Sequence, residues 1–485
     1  MKISFTKLKV LPLILLVSLL FVTAGCKDNV TRPNFVFFLV DDLGWKDLAV
    51  YGSEFYETPN LDRLASSGLL FTDAYASCPV CSPTRASIMT GQYPARMNIT
   101  DWIPGDDPAD RYLVGTSDRD RLPLEEVTLA EALKEAGYNT FFAGKWHLGD
   151  KGYYPEDQGF DINIGGHHMG HPPGGYYSPY NNPVLKDGPD GEYLTDRLGD
   201  ESVKFIKESG REPFFLYLSF YTVHTPIQAS LKYIDHFKAI LGENMSADPG
   251  LVEEGNAVTV TRQVNPDYAS MVASMDENVG KVIRAIDEKG IEKNTYIIFT
   301  SDNGGLTTIT GNRVAPTAVS PLRAGKGWAY EGGIRVPLII AGPGIKNGGI
   351  TSVPVISTDF YPTILALAGL PPRPGQHVDG VDLAPLLLVG KEPAERSIFW
   401  HYPHYHSSGW TPGAAIRRGD WKLVEFFETG SAELYNLASD QGEHENLASK
   451  YPDRRDELLE ELKKLQKETG ALFPRPNNNQ RETNK

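Results

Sequence analysis

The sequence is poor in cysteine, with only Cys26, Cys78 and Cys81 among 485 residues. Three cysteines exclude a small scaffold held together by several disulfides. The spacing of Cys78 and Cys81 is typical of a redox pair or of half a zinc site. No second cysteine pair exists to complete a zinc site, and no redox βαβ pattern surrounds this one. The pair therefore fits neither role well.

Positive charge is also scarce. The chain has 47 Lys and Arg against 62 Asp and Glu, a formal net charge of −15 and a pI of about 5.3. Such a chain offers no basic field to neutralise phosphates, which argues against nucleic acid as a partner. An anionic substrate would need cations gathered in one pocket, against an unfavourable overall field.

After the first residues, the sequence contains no apolar run long enough to span a bilayer. Three lysines open the chain, an apolar run occupies residues 10–22, and Thr-Ala-Gly-Cys ends at Cys26. The run is short for a membrane span and ends in small residues, which predicts a secretory signal. Because the ending resembles a bacterial lipoprotein cleavage site, we expect residues 1–26 to be a lipoprotein signal peptide. Lipidated Cys26 would then anchor an exported protein to a membrane, in the periplasm or the outer membrane; a plain signal peptide is the alternative.

What the sequence does contain is a set of apolar, β-rich runs that end abruptly in polar residues. Continuous apolar runs indicate strands buried on both faces, as in a parallel sheet covered by helices. Amphipathic helical patterns lie between them, such as residues 129–136 and 279–286, and predict an α/β fold. In such sheets ligands bind beyond the carboxyl ends of the strands. The four runs are residues 35–40, 139–143, 214–220 and 296–300.

The rest of the chain predicts a second, smaller region. We expect a catalytic domain over residues 31–370 and an α+β subdomain with an antiparallel sheet over residues 371–470. A proline-rich segment at 371–375 separates them. The subdomain's expected strands are 397–400, 414–417 and 421–427, followed by a helix over 452–467. Residues 471–485 are expected to form a disordered tail.

Asp41, Asp42, Asp302 and Asn303 form an oxygen-rich set that comes from two distant strand ends. Oxygen ligands favour a hard divalent cation, calcium before magnesium, and disfavour zinc. A solvated turn or a helix cap is the alternative at each place. The occurrence of both pairs after buried strands favours a metal site.

The stretch Cys-Ser-Pro-Thr-Arg at residues 81–85 carries a family resemblance. Together with other motifs it resembles the sulfatase family of the alkaline phosphatase superfamily, from Asn34 to about Glu457. Thr84 stands where serine is more frequent and retains a hydroxyl. The other matching motifs are Asp41-Asp42, Gly-Lys-Trp-His-Leu-Gly at 144–149, His224, Asp-Asn-Gly-Gly at 302–305 and Gly-Lys at 325–326.

The resemblance implies an alkaline-phosphatase-like fold and a role for each motif. It implies that a formylglycine-generating enzyme oxidises Cys81 to the nucleophile, and that residue 81 joins Asp41, Asp42, Asp302 and Asn303 around a calcium ion. A hydrated aldehyde suits the reaction, because one hydroxyl attacks sulfur and the other can lose a proton to expel sulfate. The remaining implied roles are steadying of the formylglycine by Arg85 and Lys145, proton acceptance by His147, sulfate binding by Lys326, and protonation or polarisation of the leaving alcohol by His224.

Histidine-rich and aromatic loops are candidates for substrate binding. A Gly/Pro-rich loop carries His167, His168 and His171, and the smaller region carries His401 and His404. With Arg323, these residues could line a sugar pocket at the mouth of the site. Packing within the loops is the alternative.

The function predicted is therefore hydrolysis of sulfate esters on oligosaccharides from algal or host polysaccharides. A phosphomonoesterase or phosphonate hydrolase of the same superfamily is the alternative among enzymes. A noncatalytic saccharide-binding lipoprotein is the alternative of another class. Broken motifs would indicate the latter, and none of the polar positions is broken.

Overall fold

The structure is a computed structural model that describes residues 1–4, 32–105, 108–309 and 315–477. The chain divides into the units Met1–Thr31 and Arg32–Lys485, and all the elements given below belong to the second. The predicted signal segment beyond residue 4, its lipidation site Cys26 and the last eight residues lie outside the described part.

The elements alternate along the first two thirds of the chain. The strands are β1 (Asn34–Val40), β2 (Gly68–Tyr75), β3 (Leu113–Val114), β4 (Asn139–Gly144), β5 (Ile162–Ile164), β6 (Phe214–Ser219), β7 (Leu251–Glu254), β8 (Ala257–Val260), β9 (Thr295–Ser301), β10 (Thr308–Ile309), β11 (Arg335–Ala341), β12 (Gly349–Thr351), β13 (Val355–Ile356), β14 (Ser397–Tyr402), β15 (Gly413–Arg418), β16 (Trp421–Phe426), β17 (Ser431–Asn436) and β18 (Arg475–Pro476). The α-helices are α1 (Pro59–Ser66), α2 (Cys81–Thr90), α3 (Pro94–Met97), α4 (Leu129–Glu135), α5 (Leu194–Glu208), α6 (Ile234–Asn244), α7 (Pro266–Lys289), α8 (Glu331–Ile334), α9 (Phe360–Leu367), α10 (Ala384–Val389) and α11 (Pro452–Glu468). Short 3₁₀ turns occupy Ala49–Tyr51, Pro155–Gln158, Glu292–Asn294 and Ser357–Asp359.

The central sheet has the strand order β12-β2-β11-β9-β1-β6-β4-β5, with β13 also paired to β2. Strands β9, β1, β6, β4 and β5 are mutually parallel, and β11 runs antiparallel to both β9 and β2. The predicted mostly parallel sheet is confirmed. Because β9, β1, β6 and β4 are parallel neighbours, their carboxyl ends lie side by side at the same end of the sheet.

Helices cover both faces of this sheet, which explains the unbroken apolar runs. Along β1, Val36, Phe38 and Val40 face a core formed with α1, α5 and α7. The intervening Phe35, Phe37 and Leu39 face a second core formed with α2, α4 and α9. Because successive side chains of a strand point to opposite faces, every position of β1 from Phe35 to Val40 faces one of the two cores and is apolar.

The C-terminal part forms an antiparallel sheet in the order β14-β15-β16-β17, as predicted, and α11 packs against it. Strand β17 was not predicted, because its sequence Ser-Ala-Glu-Leu-Tyr-Asn is short of apolar residues. Within the expected tail, β18 pairs with β3. Among the residues that the structure describes, no helix combines the length and the apolar character needed to cross a bilayer.

Candidate active site

The site lies where β1 and β9 end side by side. Their parallel register pairs Val40 with Ser301, so the residues that follow, Asp41, Asp42 and Asp302, leave the sheet together. The Asp42 amide donates to Asp302 Oδ1 at 3.2 Å, and Asp42 has a left-handed backbone with φ of 61°. This turn directs the two adjacent aspartates into one pocket, and all three are buried.

Three cations hold these carboxylates in place. Lys145, which follows β4, donates from Nζ to both oxygens of Asp41 at 2.9 and 2.8 Å. Arg85 of α2 forms a two-pronged contact with Asp302 Oδ2, from Nε at 2.8 Å and from the second nitrogen at 2.7 Å. Lys326 Nζ reaches both oxygens of Asp42, at 2.7 and 2.8 Å. The acidic chain has therefore gathered cations locally, as an anionic substrate requires.

Burial and charge set the ionisation of this cluster. Burial raises the pKa of Asp41, and the neighbouring Asp302 and Asp42 add to it despite the opposing charge of Lys145. For Asp42, burial acts in the same direction but Lys326 and then His224 outweigh it, so the pKa of Asp42 is held below its ordinary value. A carboxylate crowded by others in this way is stabilised in its charged form by a cation.

The donor set fits a hard divalent cation. Asn303 donates from Nδ2 to Asp42 Oδ1 at 2.8 Å, while its own Oδ1 is buried and has no hydrogen-bond partner among the residues that the structure describes. A buried carbonyl oxygen normally has a partner, so this atom is free to act as a ligand. Ligand atoms of Asp41, Asp42 and His224 lie within 4.8 Å of one another. Carboxylate and amide oxygens predominate, which favours calcium or magnesium over zinc.

Cys81 begins helix α2 and its buried side chain faces this cluster. Its Sγ lies 3.3 Å from His147 Nδ1. Burial raises the pKa of the Cys81 thiol, and the charges of Lys145 and Lys326 oppose that rise. Thr84, one turn along, both accepts from the Cys78 amide at 3.1 Å and donates to the Cys78 carbonyl at 3.2 Å. The threonine hydroxyl thus fixes the loop that leads into residue 81.

The two predicted catalytic histidines have defined orientations. His147 Nε2 lies 2.5 Å from the Ile103 carbonyl oxygen, which can only accept, so Nε2 carries the proton and Nδ1 faces Cys81. Burial and then the charge of Lys145 lower the pKa of His147. In the same way His224 donates from Nδ1 to the Thr225 carbonyl at 2.7 Å, and its Nε2 lies 3.7 Å from Asp42 Oδ2. Burial and then Lys326 lower the pKa of His224.

Two glycines allow the backbone of the site to pack closely. Gly144 precedes Lys145 with φ of 104°, and an added Cβ would lie 1.8 Å from the Ser219 carbonyl oxygen. At Gly304, which follows Asn303, an added Cβ would lie 1.9 Å from the Gly332 carbonyl oxygen. Any larger residue would displace the neighbouring loops.

The Gly/Pro-rich loop borders the site. The His167 carbonyl accepts from the His147 amide at 3.1 Å, and a Cβ on Gly170 would meet the His147 ring at 2.4 Å. Burial and then Lys145 lower the pKa of exposed His171, whereas His168 lies near Asp150 at the surface. The imidazole of His167 is buried, which lowers its pKa to about 4. His168 and His171 thus present exposed side chains on the loop that packs against His147.

The other predicted substrate contacts are engaged within the protein. Arg323 binds both oxygens of Glu254 at 2.8 and 2.6 Å and stacks on the Tyr330 ring. His401 lies 2.8 Å from the Leu472 carbonyl, in a buried setting that lowers its pKa to about 4. His404 is also buried, with Nε2 2.9 Å from Thr100 Oγ1. These contacts fit the packing alternative.

Sequence reasoning missed two groups that organise the site. Ser219, the last residue of β6, accepts from Arg85 at 2.7 Å and donates to the Lys145 carbonyl at 2.7 Å. Its place at a strand end beside the other polar residues was the available signal. The Ile103 carbonyl, which orients His147, gave no signal because every residue has a carbonyl.

Comparison with known proteins supports the family that the sequence motifs resemble, the sulfatases. The family model Sulfatase matches residues 33–370, and the model N-sulphoglucosamine sulphohydrolase, C-terminal, matches residues 324–468. The chain belongs to the sulfatase family of the alkaline phosphatase superfamily, and is thus a sulfuric ester hydrolase. The family generally uses a formylglycine and a divalent metal.

Individual relatives match over most of their length. A sulfatase of Formosa agariphila is 33% identical, over 88% of this chain and 86% of that protein. Human arylsulfatase A is 33% identical, over 93% of this chain and 90% of its own. The crystal structure of Ps i-CgsB in complex with k-i-k-neocarrahexaose superposes with a TM-score of 0.73 and 30% identity, over 90% of this chain and 93% of that one. The alkaline-phosphatase-like fold expected from the sequence is confirmed.

Proposed function

We propose that this protein is an exported, calcium-dependent sulfatase that removes sulfate from saccharides, with a formylglycine made from Cys81 as its nucleophile. The observation that carries the proposal is the convergence of residue 81, three buried carboxylates, an unpaired amide oxygen and three cations on one pocket. The N-terminal sequence, with its lipoprotein-type ending at Cys26, supports export and membrane anchoring through a lipid.

The residues of the pocket fit the two groups that the family uses. Asp41, Asp42, Asp302 and Asn303, together with residue 81, would hold the cation, which would polarise the sulfate oxygens. A formylglycine at residue 81 would, when hydrated, supply one hydroxyl that can attack sulfur and a second whose loss of a proton would release sulfate. Maturation requires a formylglycine-generating enzyme, which would act on the 81–85 motif.

The remaining side chains bind, orient and move protons. His147 Nδ1 lies beside residue 81 and can take the proton whose loss releases sulfate, because its Nε2 is already committed to the Ile103 carbonyl. His224 can donate to or polarise the leaving alcohol from Nε2, at the partly exposed side of the pocket, when that nitrogen is protonated, because Nδ1 is committed to the Thr225 carbonyl. Lys326 is also partly exposed and can hold a sulfate oxygen, while Arg85 and Lys145 fix the carboxylates.

The substrate is proposed to be a sulfated saccharide. The similar Ps i-CgsB was solved with a neocarrahexaose, which supports an oligosaccharide of this kind. His168 and His171 are exposed on the loop that packs against His147, and we infer that they contact sugar hydroxyls around the scissile ester. Polysaccharides of algal or host origin would supply such oligosaccharides.

The test is release of free sulfate from a panel of sulfated oligosaccharides by protein whose Cys81 peptide shows conversion in a mass spectrum. Matched aryl sulfates, phosphates and phosphonates measured side by side test the phosphate alternative. We expect the sulfate to be turned over fastest. A strong preference for phosphate or phosphonate would overturn the proposal, and saccharide binding by converted protein without sulfate release would favour the noncatalytic alternative.

A further inference from the structure

The orientation of His147 depends on the segment Thr100–Ile103, which belongs to none of the family motifs. The Ile103 carbonyl accepts from His147 Nε2 at 2.5 Å, and the Ile103 amide donates to Ser82 Oγ at 3.1 Å. One residue therefore links the proton acceptor to the helix turn that carries residue 81. A shift of this peptide would move the His147 ring relative to its target atom.

Two residues of the C-terminal subdomain form hydrogen bonds with this segment. Tyr402, the last residue of β14, donates from its hydroxyl to Asp101 Oδ1 at 3.0 Å. His404, two residues later, lies with Nε2 2.9 Å from Thr100 Oγ1. All four side chains are almost wholly buried. The contacts cross from the antiparallel sheet to the loop beside the catalytic pocket.

The segment has a second support within the catalytic region. Asp118 accepts from the amides of Thr100 and Asp101, each at 2.8 Å, and the Trp102 amide donates to Asp101 Oδ1 at 2.9 Å. Asp101 Oδ1 thus receives both the Trp102 amide and the Tyr402 hydroxyl. The backbone would remain folded without the Tyr402 hydroxyl, but its exact placement would lose one of the contacts that support it.

We propose that Tyr402 and His404 are positioning residues, through which the C-terminal subdomain sets the Ile103 carbonyl and thereby the direction of His147 Nδ1. This inference rests on the proposed role of His147 as proton acceptor. It gives the subdomain a part in turnover, and it replaces substrate contact as the role of His404.

The test uses variants that remove the polar groups of these two contacts. Tyr402→Phe deletes only the hydroxyl, and His404→Leu deletes the bond to Thr100, while His404→Gln retains a polar group near Nε2. Tyr435→Phe is the matched control, because that hydroxyl also lies in the C-terminal sheet but contacts Glu433 and Arg323 at 2.8 and 2.9 Å. We measure kcat, KM and the melting temperature with an aryl sulfate.

We expect Tyr402→Phe and His404→Leu to lower kcat about tenfold, because small displacements of a reacting group are costly. KM should stay within about twofold, as substrate binding is untouched, and His404→Gln should restore most of kcat. Tyr435→Phe should leave kcat unchanged, and its melting temperature should change by about as much as that of Tyr402→Phe. If a hydroxyl deletion merely loosened the fold, the two tyrosine variants would behave alike, and the proposal would be overturned.

A double variant separates this inference from the proposed function. In a His147→Ala background, Tyr402→Phe should cost no further activity, because a residue acting through His147 has nothing left to orient. Additive losses would overturn the inference and leave the role of His147 intact. A His147→Ala enzyme with full activity would overturn both, since the contacts would then lead to a residue without a role. If Tyr402→Phe does not fold, His404→Leu in the same background gives the same decision.

Discussion

Two buried clusters of charge in this protein have the same make-up and different uses. The strand-end cluster contains Asp41, Asp42, Asp302, Arg85, Lys145 and Lys326. The inter-sheet cluster lies between the central and C-terminal sheets and contains Asp73, Glu331, Glu443, Arg335, Arg417 and Lys422. Each has three carboxylates and three cations, so a count of charges does not tell them apart.

The difference lies in closure. In the inter-sheet cluster, Lys422 is completely buried and bridges Glu331 and Glu443 at 2.9 and 2.8 Å, while Arg417 binds Asp73 at 2.7 Å. Within the described part of the chain, the strand-end cluster keeps an unpaired oxygen on Asn303, and Lys326 and His224 reach solvent with 11% and 17% of their side chains exposed. The charges of the inter-sheet cluster neutralise one another away from solvent, so that cluster joins parts of the fold. The strand-end cluster reaches solvent and has a free ligand oxygen, so it can bind a cation and an anionic substrate.

Removal of the proposed nucleophile, Cys81, should have the largest effect on activity and so distinguish the strand-end cluster from the inter-sheet cluster most clearly. Cys81→Ala should abolish sulfate release, a loss of more than about 10⁴-fold, because the remaining groups cannot attack sulfur. The unfolding transition should be nearly unchanged, since Cys81 makes few contacts that hold the sheets together. Cys78→Ala is the matched control, as it removes a buried thiol outside the 81–85 motif, and it should retain activity. Sulfate release by Cys81→Ala would contradict the assignment.

His224 tests whether the open side of the strand-end cluster serves the leaving group. His224→Ala should lower kcat about 10²- to 10⁴-fold on a saccharide sulfate, whose alcohol needs a proton. The loss should be much smaller on 4-nitrophenyl sulfate, whose leaving group departs as an anion. His236→Ala, an exposed histidine of α6, serves as the control and should change neither rate. Equal losses on both substrates would assign His224 to another step.

Much of the strand-end cluster was predictable, because chain order and sheet geometry place the ends of parallel strands together. Asp41 and Asp302 each follow a buried apolar run, and the register of β1 and β9 brings them side by side as expected. The helices α4 and α7 also follow from amphipathic spacing; the C-cap of α7 is Gly290, and that of α4 is Ala136, one residue before Gly137. The antiparallel strand β11 within the sheet was not foreseen as such, since direction leaves no mark on an apolar run.

The inter-sheet cluster could not be predicted. Its members come from β2, α8, β11, β15, β16 and the segment after β17, and Lys422 reads as an ordinary charged residue between Trp421 and Leu423. Only the packing of the two sheets shows that its side chain is buried. The same limit applies to Arg323, His401 and His404, whose partners lie far away in sequence. Residue type suggested that these three side chains bind substrate, and only the structure shows the partners that they have within the protein.

Breaking the inter-sheet cluster should affect stability and spare chemistry. Lys422→Met leaves Glu331 and Glu443 buried without their shared cation, which should lower the free energy of unfolding by about 3–5 kcal/mol. Chemical denaturation measures this, with Lys464→Met on the exposed face of α11 as a control expected to change it by less than about 0.5 kcal/mol. Well below the unfolding transition, kcat of Lys422→Met should equal that of the parent. A selective loss of kcat without destabilisation would show that the cluster is not only structural.

A cation should stabilise the strand-end cluster. Calcium added to chelator-treated protein should raise the free energy of unfolding by about 2.7 kcal/mol at a concentration 100 times its Kd. Magnesium should do less, because it demands stricter octahedral geometry. The shift in the denaturation midpoint is measured without substrate, and Asn303→Leu, which removes the spare oxygen, should reduce it. A midpoint that is indifferent to calcium would remove the metal from the proposal.

The smallest effect concerns the pH dependence of the inter-sheet cluster. Burial, with repulsion from Glu331, raises the pKa of Glu443 from 4.5 to about 7 despite the charge of Lys422. Between pH 4.5 and 7 the folded protein therefore holds a proton at Glu443 that the unfolded chain has released, so this group's contribution to stability falls as pH rises. Glu443→Gln removes that titration, and its stability relative to the parent should improve with pH, by at most about 1.4 kcal/mol per pH unit. Denaturation curves of both proteins at pH 5, 6 and 7 measure the difference, which cancels the titrating groups that do not interact with Glu443. A constant difference would mean that Glu443 ionises normally beside Lys422.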